Sequence, residues 1–270
     1  MRSQKNIISL KPWLKYLLAV MVLATTIPSR AQSDRVFVPA GSFHSVLPEI
    51  KGEPNKVDAF YLDVTAVTNE EFVDFVTENK EWRRSEVPSI FANDSYLDHW
   101  KSDLDPGIEE TGAQRPVTRI SWYSANAYCS AAGGRLPTLN EWEYSAQLLK
   151  FESPEEMNEF SKELIGWYSR VNANFIGAVG STDIETAYGV KDQFGLVMEW
   201  VENFKPIIAN DLSLDCGTVG RLQKLGNIYS YAASIRFITR MSFSPESTTG
   251  MLGFRCAYDV ETKDTTKNSL

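Results

Sequence analysis

Apolar positions in this chain come in short bursts separated by Gly, Pro, Asn and Asp, and few bursts hold a helical period for long. Three of them do. Phe72, Phe75 and Val76 form one stripe behind Thr68-Asn69-Glu70-Glu71, where Thr68 is placed to cap a helix and Glu71 stands three residues on, as in a capping box. Trp122, Ala125, Tyr128 and Cys129 follow Ser121 in the same way. Trp142, Ser145 and Ala146 recur behind Thr138, with Glu141 completing a second capping box. Elsewhere the pattern is that of strands: Val36-Phe37-Val38 runs into the turn Pro39-Ala40-Gly41, and Phe60-Tyr61-Leu62-Asp63-Val64 reads as a second strand. Two or three helices among short strands and long loops predict an irregular α+β fold in one domain. The polar tail, residues 261–270, is expected to fray as a flexible tail.

The first thirty residues follow a different logic. Arg2, Lys5, Lys11 and Lys15 make a basic start, an apolar run extends from Tyr16 to Ala24, and Ser29-Arg30-Ala31 has the small-x-small pattern of a cleavage site. This reads as a secretory signal peptide over residues 1–31, cleaved after Ala31, which would leave no membrane span. The run is shorter than the roughly 20 residues of a comfortable span, and an uncleaved anchor is the alternative. No cysteine lies near the cleavage region, so a lipid anchor is not expected. The fold proper is then expected over residues 32–260, in a periplasmic or extracellular setting.

Charge changes the picture once that segment is set aside. The whole chain carries 27 Lys+Arg against 35 Asp+Glu. Residues 1–31 hold five of the bases and none of the acids, so the remaining 239 residues carry a net −13. Such a surface argues against wholesale nucleic-acid binding, which needs a basic face, and suits divalent cations or basic partners. Seven Trp, 11 Tyr and 14 Phe are too many for a chain without a core. Only two histidines, His44 and His99, are present, which removes most zinc and non-haem iron chemistry. Three cysteines allow at most one internal bridge.

Four segments in one order carry a resemblance. They are Val38-Pro39-Ala40-Gly41-Ser42-Phe43 with Phe60-Tyr61-Leu62-Asp63 and Val67-Thr68-Asn69-Glu70; Ser121-Trp122 through Cys129 into Gly134-Arg135-Leu136-Pro137-Thr138 and Glu141-Trp142-Glu143-Tyr144; Tyr188-Gly189 through Asp192 to Trp200; and Gly253-Phe254-Arg255-Cys256-Ala257. Over residues 36–258 the chain resembles the sulfatase-modifying-factor family, founded on the formylglycine-generating enzyme. The resemblance implies an irregular C-type-lectin-like α+β fold, with few short helices, small twisted antiparallel sheets and packing by buried aromatics. Trp122, Trp142 and Trp200 are then core or groove-wall residues, and Arg135 and Arg255 are buried partners for Glu141, Glu143 or Glu199.

The resemblance also implies a calcium ion in the segment 192–199. Matched position by position, Asp192 supplies a side-chain oxygen, Gly195 and Val197 backbone carbonyls, and Glu199 a carboxylate. Calcium takes six to eight hard oxygen ligands, which such a loop can contribute. Leu196 and Met198 replace the family's usual Asn and Trp without removing a ligand. The alternative is that both acids are solvated turn residues. Cys129 and Cys256 fall where the family forms a disulfide, which leaves Cys216 unpaired.

What the chain lacks bears most on function. A formylglycine-generating enzyme oxidises a substrate cysteine with a pair of its own cysteines that bind copper(I), for which thiolates are suitable ligands. The matching stretch, Leu225 to Arg236, contains no cysteine, so formylglycine generation is not expected and no copper site is recognised. His44 and His99 are 55 residues apart and do not make the three-histidine iron site of another branch. A third branch, which oxidises pigment precursors without the cysteine pair, is left open. Tyr229, Tyr231, Arg236 and Arg240 would floor the family's groove, with Trp100 at its flank, and Tyr and Arg are favoured in binding sites. Core and ion-pair roles serve these residues equally well. The loop from Phe91 to Asp105 is a candidate partner surface. The leading expectation is an exported, calcium-stabilised accessory or binding protein of the cell envelope. The alternatives are an oxidoreductase with altered chemistry on a small exported substrate, and a lectin-type binder of glycans or peptides.

Overall fold

The computed structural model of the chain describes residues 34–45, 52–107, 112–146, 176–202 and 243–260, with scattered positions between 153 and 162. Strands β1 (Arg35–Val38) and β4 (Phe60–Asp63) pair antiparallel, and β4 pairs antiparallel with β7 (Ala257–Asp259), so the first and last strands flank one sheet. Its register explains the alternation in the sequence. Val36 faces Leu62 and Leu62 faces Ala257, so one side is apolar. Phe37 faces Tyr61 and Tyr61 faces Tyr258, so the other side is a row of rings. The apolar side joins Val38, Phe43, Val57, Phe60, Leu62, Val190 and Ala257 in one core cluster.

Strands β2 (Gly41–Phe43) and β3 (Asn55–Val57) form a separate antiparallel pair. A Cβ at Gly41 would lie 2.1 Å from the Tyr144 hydroxyl, so only glycine lets that tyrosine pack onto the strand. The expectation of antiparallel sheets throughout needs one correction. Strands β5 (Met198–Glu199) and β6 (Leu252–Gly253) pair in parallel, because two distant segments are drawn side by side by the ion pair described below.

The three predicted helices are present with their predicted caps. Thr68 opens α1 (Asn69–Glu78): its hydroxyl accepts from the Glu71 N–H at 3.2 Å, and the Glu71 carboxylate accepts from the Thr68 N–H at 2.8 Å. Ser121 caps α2 (Trp122–Ala131) by accepting from the Ser124 N–H at 3.2 Å. Thr138 and Glu141 make the same reciprocal pair at the head of α3 (Leu139–Ala146), at 3.1 and 2.7 Å. Among the described residues no helix is long and apolar enough to cross a membrane.

The buried faces of α1 and α2 meet in the larger core. Phe72 lies 5.9 Å from Tyr128 and 6.2 Å from Phe254, and Tyr128 lies 5.2 Å from Phe254. Burying each ring contributes about 1.5–3 kcal/mol. Trp100 departs from its expected place beside a groove. It is 1% exposed and packs edge-on to Phe72 at 6.2 Å. The loop around it is pinned inward, with the Leu97 N–H donating to the Arg119 carbonyl and Arg84 donating to the Trp100 carbonyl. Of the predicted partner surface, Phe91 and Leu104 stay exposed, while Ala92, Tyr96 and Leu97 are core.

Candidate functional site

The link between β6 and β7 carries the tightest polar construction in the molecule's described part. Arg255, with no exposed surface, spreads its guanidinium over the Glu199 carboxylate, at 2.8 to 3.1 Å, and over the carbonyls of Asp63, Val64 and Lys191 at 2.9–3.1 Å. The indole N–H of Trp142 donates to Glu199 at 2.8 Å. One arginine thus ties β4, the 191–199 segment and α3 together, its charge matched and its donors occupied, as burial of an ion demands. Arg135 makes the other expected pair, donating to both oxygens of Glu141 at 2.7 Å and to Asp259 at 2.8 and 3.1 Å. These bonds, burial opposing them, raise its already high pKa. Glu143 pairs with neither arginine and accepts instead from the Ser45 hydroxyl at 2.7 Å.

Asp192 stands in a different environment from Glu199. It is 1% exposed and adopts the left-handed backbone conformation, φ 55°, which Asp tolerates better than most residues. Its carboxylate accepts from the Thr182 hydroxyl at 2.5 Å, from the Thr182 N–H at 3.1 Å and from the Gly180 N–H. None of these donors carries a charge. Such hydrogen bonds stabilise a buried carboxylate, and a cation beside it would add charge that they do not supply. Among the described residues no hydrogen bond reaches the carbonyl oxygens of Gly195 or Val197. The chemistry at Asp192, Gly195 and Val197 therefore fits a hard cation. Glu199 differs, because Arg255 already balances its charge. No three His, Cys, Asp or Glu side chains among the described residues gather into a metal site, so a cation here would depend largely on carbonyl oxygens.

Cys129 and Cys256, 127 positions apart in the sequence, are joined in a disulfide with their Cα atoms 5.4 Å apart. The bond fastens α2 to the segment between Arg255 and β7. Tyr229, Tyr231, Arg236 and Arg240, expected to floor a groove, lie outside the described residues, as does Cys216.

Residues 23–260 match the family described as the sulfatase-modifying factor enzyme 1-like domain. The chain belongs to that family. It is 28% identical over 236 residues to the inactive C-alpha-formylglycine-generating enzyme 2 of Mus musculus, covering 74% of this chain and 75% of the relative. It is likewise 28% identical over 247 residues to the formylglycine-generating enzyme of Streptomyces coelicolor, covering 75% and 79%. The structure of PvdO from Pseudomonas aeruginosa superposes with a TM-score of 0.49 at 18% identity, over 84% of this chain and 95% of that one. The mixed fold of short helices and small sheets is the class the resemblance implied.

Sequence reasoning missed two features near these ties. The Gly180 and Thr182 donors around Asp192 carry no motif and are found only by folding the 176–192 loop back on itself. The row formed by Phe37, Tyr61 and Tyr258 had a readable signal. Arg35 and Phe37, like Tyr61 and Asp63, are spaced two apart in a strand and so share the side opposite the core.

Proposed function

We propose that this chain is a non-catalytic member of the family, exported and stabilised by calcium, which acts as an accessory or binding protein for an envelope or exported partner. The observation that carries this reading is the supply of thiols. The chain has three cysteines, and the Cys129–Cys256 bond uses two. Cys216 alone remains, and one thiolate does not make the pair that copper(I) needs in a formylglycine-generating enzyme. A member of the family whose own name calls it inactive, the mouse relative, supports a role without that chemistry. The disulfide supports an oxidising compartment, where such bonds persist.

The calcium reading rests on Asp192, a buried charge without a counter-ion among its partners. Asp192, with the carbonyls of Gly195 and Val197, would hold the ion, and Glu199 would close the site from its pair with Arg255. When bound, calcium supplies the positive charge this segment lacks. At about 100 times its Kd it would add about 2.7 kcal/mol to stability. A chelator is expected to lower the melting temperature of the purified protein, and Asp192→Asn to abolish that response. An unchanged melting temperature, with no calcium found by elemental analysis, refutes the calcium reading.

The functional reading is tested on two fronts. Incubated with copper(I), oxygen and a cysteine-bearing sulfatase peptide, the protein is expected to leave the peptide mass unchanged. The tagged chain is expected to recover one partner at near-equal stoichiometry from its native envelope extract, and to bind it again when both are purified. Conversion of the peptide cysteine to formylglycine overturns the proposal.

A further inference from the structure

The side of the β1–β4–β7 sheet opposite the Val38, Leu62 and Ala257 cluster, where Tyr258 is itself 6% exposed, carries a cleft of about 550 Å³, within the usual range for small-ligand sites. Arg35, Tyr61, Tyr258 and Asp259 line it, and the backbone of Gly133 and Gly134 forms one wall. This construction is specific to the residues present. A Cβ at Gly134 would meet the Tyr258 ring and the Ala257 carbonyl oxygen at 2.5 Å, so glycine there is what lets the ring lie against the wall. The Arg35 guanidinium covers the Tyr258 ring, with Cζ 3.2 Å from its centroid. Tyr61 and Phe37 continue the row outward, 5.5 Å apart and 38% and 49% exposed. The two rings are tilted 60° to each other, so Tyr61, the one that lines the cleft, offers the stacking face and Phe37 an apolar edge beside it.

The polar groups decide what the cleft takes. Two guanidiniums, Arg35 and Arg135, stand against three carboxylates: Asp63 beside the first, Glu141 and Asp259 on the second. The cleft has no surplus positive charge for a phosphate or carboxylate, and its arginines oppose a cation. An apolar ligand would strip water from Asp259, whose side chain is 79% exposed, and give nothing in return. Both Arg135 bonds to Asp259 end on Oδ1, which leaves Oδ2 as an acceptor at the rim. Tyr61, whose hydroxyl can donate and accept, is also in the lining. A ring with an apolar C–H face and hydroxyls at its edge suits both kinds of group, the face on the Tyr61 ring and one hydroxyl donating to Asp259 Oδ2.

We infer that this cleft binds a neutral saccharide, a function separate from the partner-binding role and from the calcium segment. The test titrates the full chain with cellobiose, maltose and N,N′-diacetylchitobiose by calorimetry and by amide chemical shifts. At least one sugar is expected to saturate the site. Tyr61→Ala is expected to weaken that binding about tenfold or more and to melt lower while staying folded, because it loses cross-strand packing on the central strand; Asp259→Asn, at a side chain 79% exposed, is expected to weaken binding about fivefold and melt close to the parent. Inorganic phosphate is expected not to compete. The inference is overturned by any of three results: no saturation by the three sugars up to about 10 mM, undiminished binding by a folded Tyr61→Ala protein, or displacement of the sugar by phosphate. A binding result in either direction leaves the pull-down and peptide assays unaffected.

Discussion

Removing the charge of Glu199 is the sharpest perturbation of the fold. In Glu199→Gln the side chain keeps its shape and the Trp142 N–H keeps an oxygen to bond, but Arg255 loses its counter-charge with no solvent to replace it. Breaking a buried pair from one side costs about 3–5 kcal/mol. Arg255→Met is worse, because it strands the Glu199 charge and also the carbonyls of Asp63, Val64 and Lys191, at about 1–3 kcal/mol each where water does not reach them. That sum takes a large part of the roughly 5–15 kcal/mol of a typical domain, so Arg255→Met is expected to unfold at the lowest urea concentration of the series. Glu199→Gln should fold and be measurable by urea unfolding followed by tryptophan fluorescence. The double variant supplies the control. Removing both charges should cost less than the two single losses together, by about 2–3 kcal/mol, while the three orphaned carbonyls keep it well below the parent. The reasoning is refuted if Glu199→Gln unfolds within about 1 kcal/mol of the parent, or if the two substitutions add without coupling.

Three other outcomes follow from single contacts. Reducing the disulfide, or Cys129→Ala with Cys256→Ala, should cost about 5 kcal/mol in the loop-entropy model for a 127-residue separation, read as a fall in urea midpoint with a steeper slope, because the unfolded chain without the cross-link exposes more surface. Thr68→Ala removes the hydroxyl of the α1 capping box and should cost about 1 kcal/mol, whereas Thr68→Ser should lose almost nothing in the same unfolding assay. Burial first, then the Arg119 guanidinium, with Arg84 adding and Asp98 opposing, pushes the His99 imidazole down to about 4. The folded state therefore binds that proton later than the unfolded chain does. His99 costs nothing above pH 6.5, and stability is lost as pH falls from there toward 4. The imidazole is crowded by its neighbours while the residue as a whole still meets water, so solvent screens part of this and the loss should stay well below the full linkage of about 1.4 kcal/mol per unit. An NMR titration of the His99 ring, with His99→Gln flattening the acid limb of the stability curve, checks it.

What was legible in the sequence was local. The caps at Thr68, Ser121 and Thr138 each involve a partner three residues away, and a capping box is written in one turn of chain. The partners of Arg135 and Arg255 were legible only as a set, because burial of an arginine demands a carboxylate but spacing does not choose which one. The fold gave Glu141, six residues away, to the first and Glu199, 56 residues away, to the second. Strands β3, β5, β6 and β7 are two or three residues long, too short for alternation to register, and their pairing depends on chain brought from far away. Trp100 was misplaced for a related reason. A lone indole among Asp and Lys residues looks like a rim, and only the bonds from Leu97 to Arg119 and from Arg84 show the loop turning it inward.

The ties that hold this fold converge on a few residues of its last segment. Arg255 reaches back 192 residues to Asp63, and Cys256 reaches back 127 to Cys129 and also donates its N–H to the Asp63 carboxylate at 2.9 Å. Contacts of such sequence separation raise the contact order, which slows folding in small domains. Both proposed ligand sites stand directly on these ties. Asp192 follows Lys191, whose carbonyl Arg255 holds, and Tyr258 and Asp259 follow the disulfide. A binding group placed beside a locked residue is pre-organised by it, which a long surface loop does not offer. The arrangement also separates two kinds of variant. Substitutions at Arg255, Glu199 or Cys256 should lose both sites together as the fold loosens, whereas Asp192→Asn and Tyr61→Ala should each silence one site and leave the other at full strength. If Tyr61→Ala instead abolished the calcium response, the two sites would not stand on a rigid frame, and this account of the fold would be wrong.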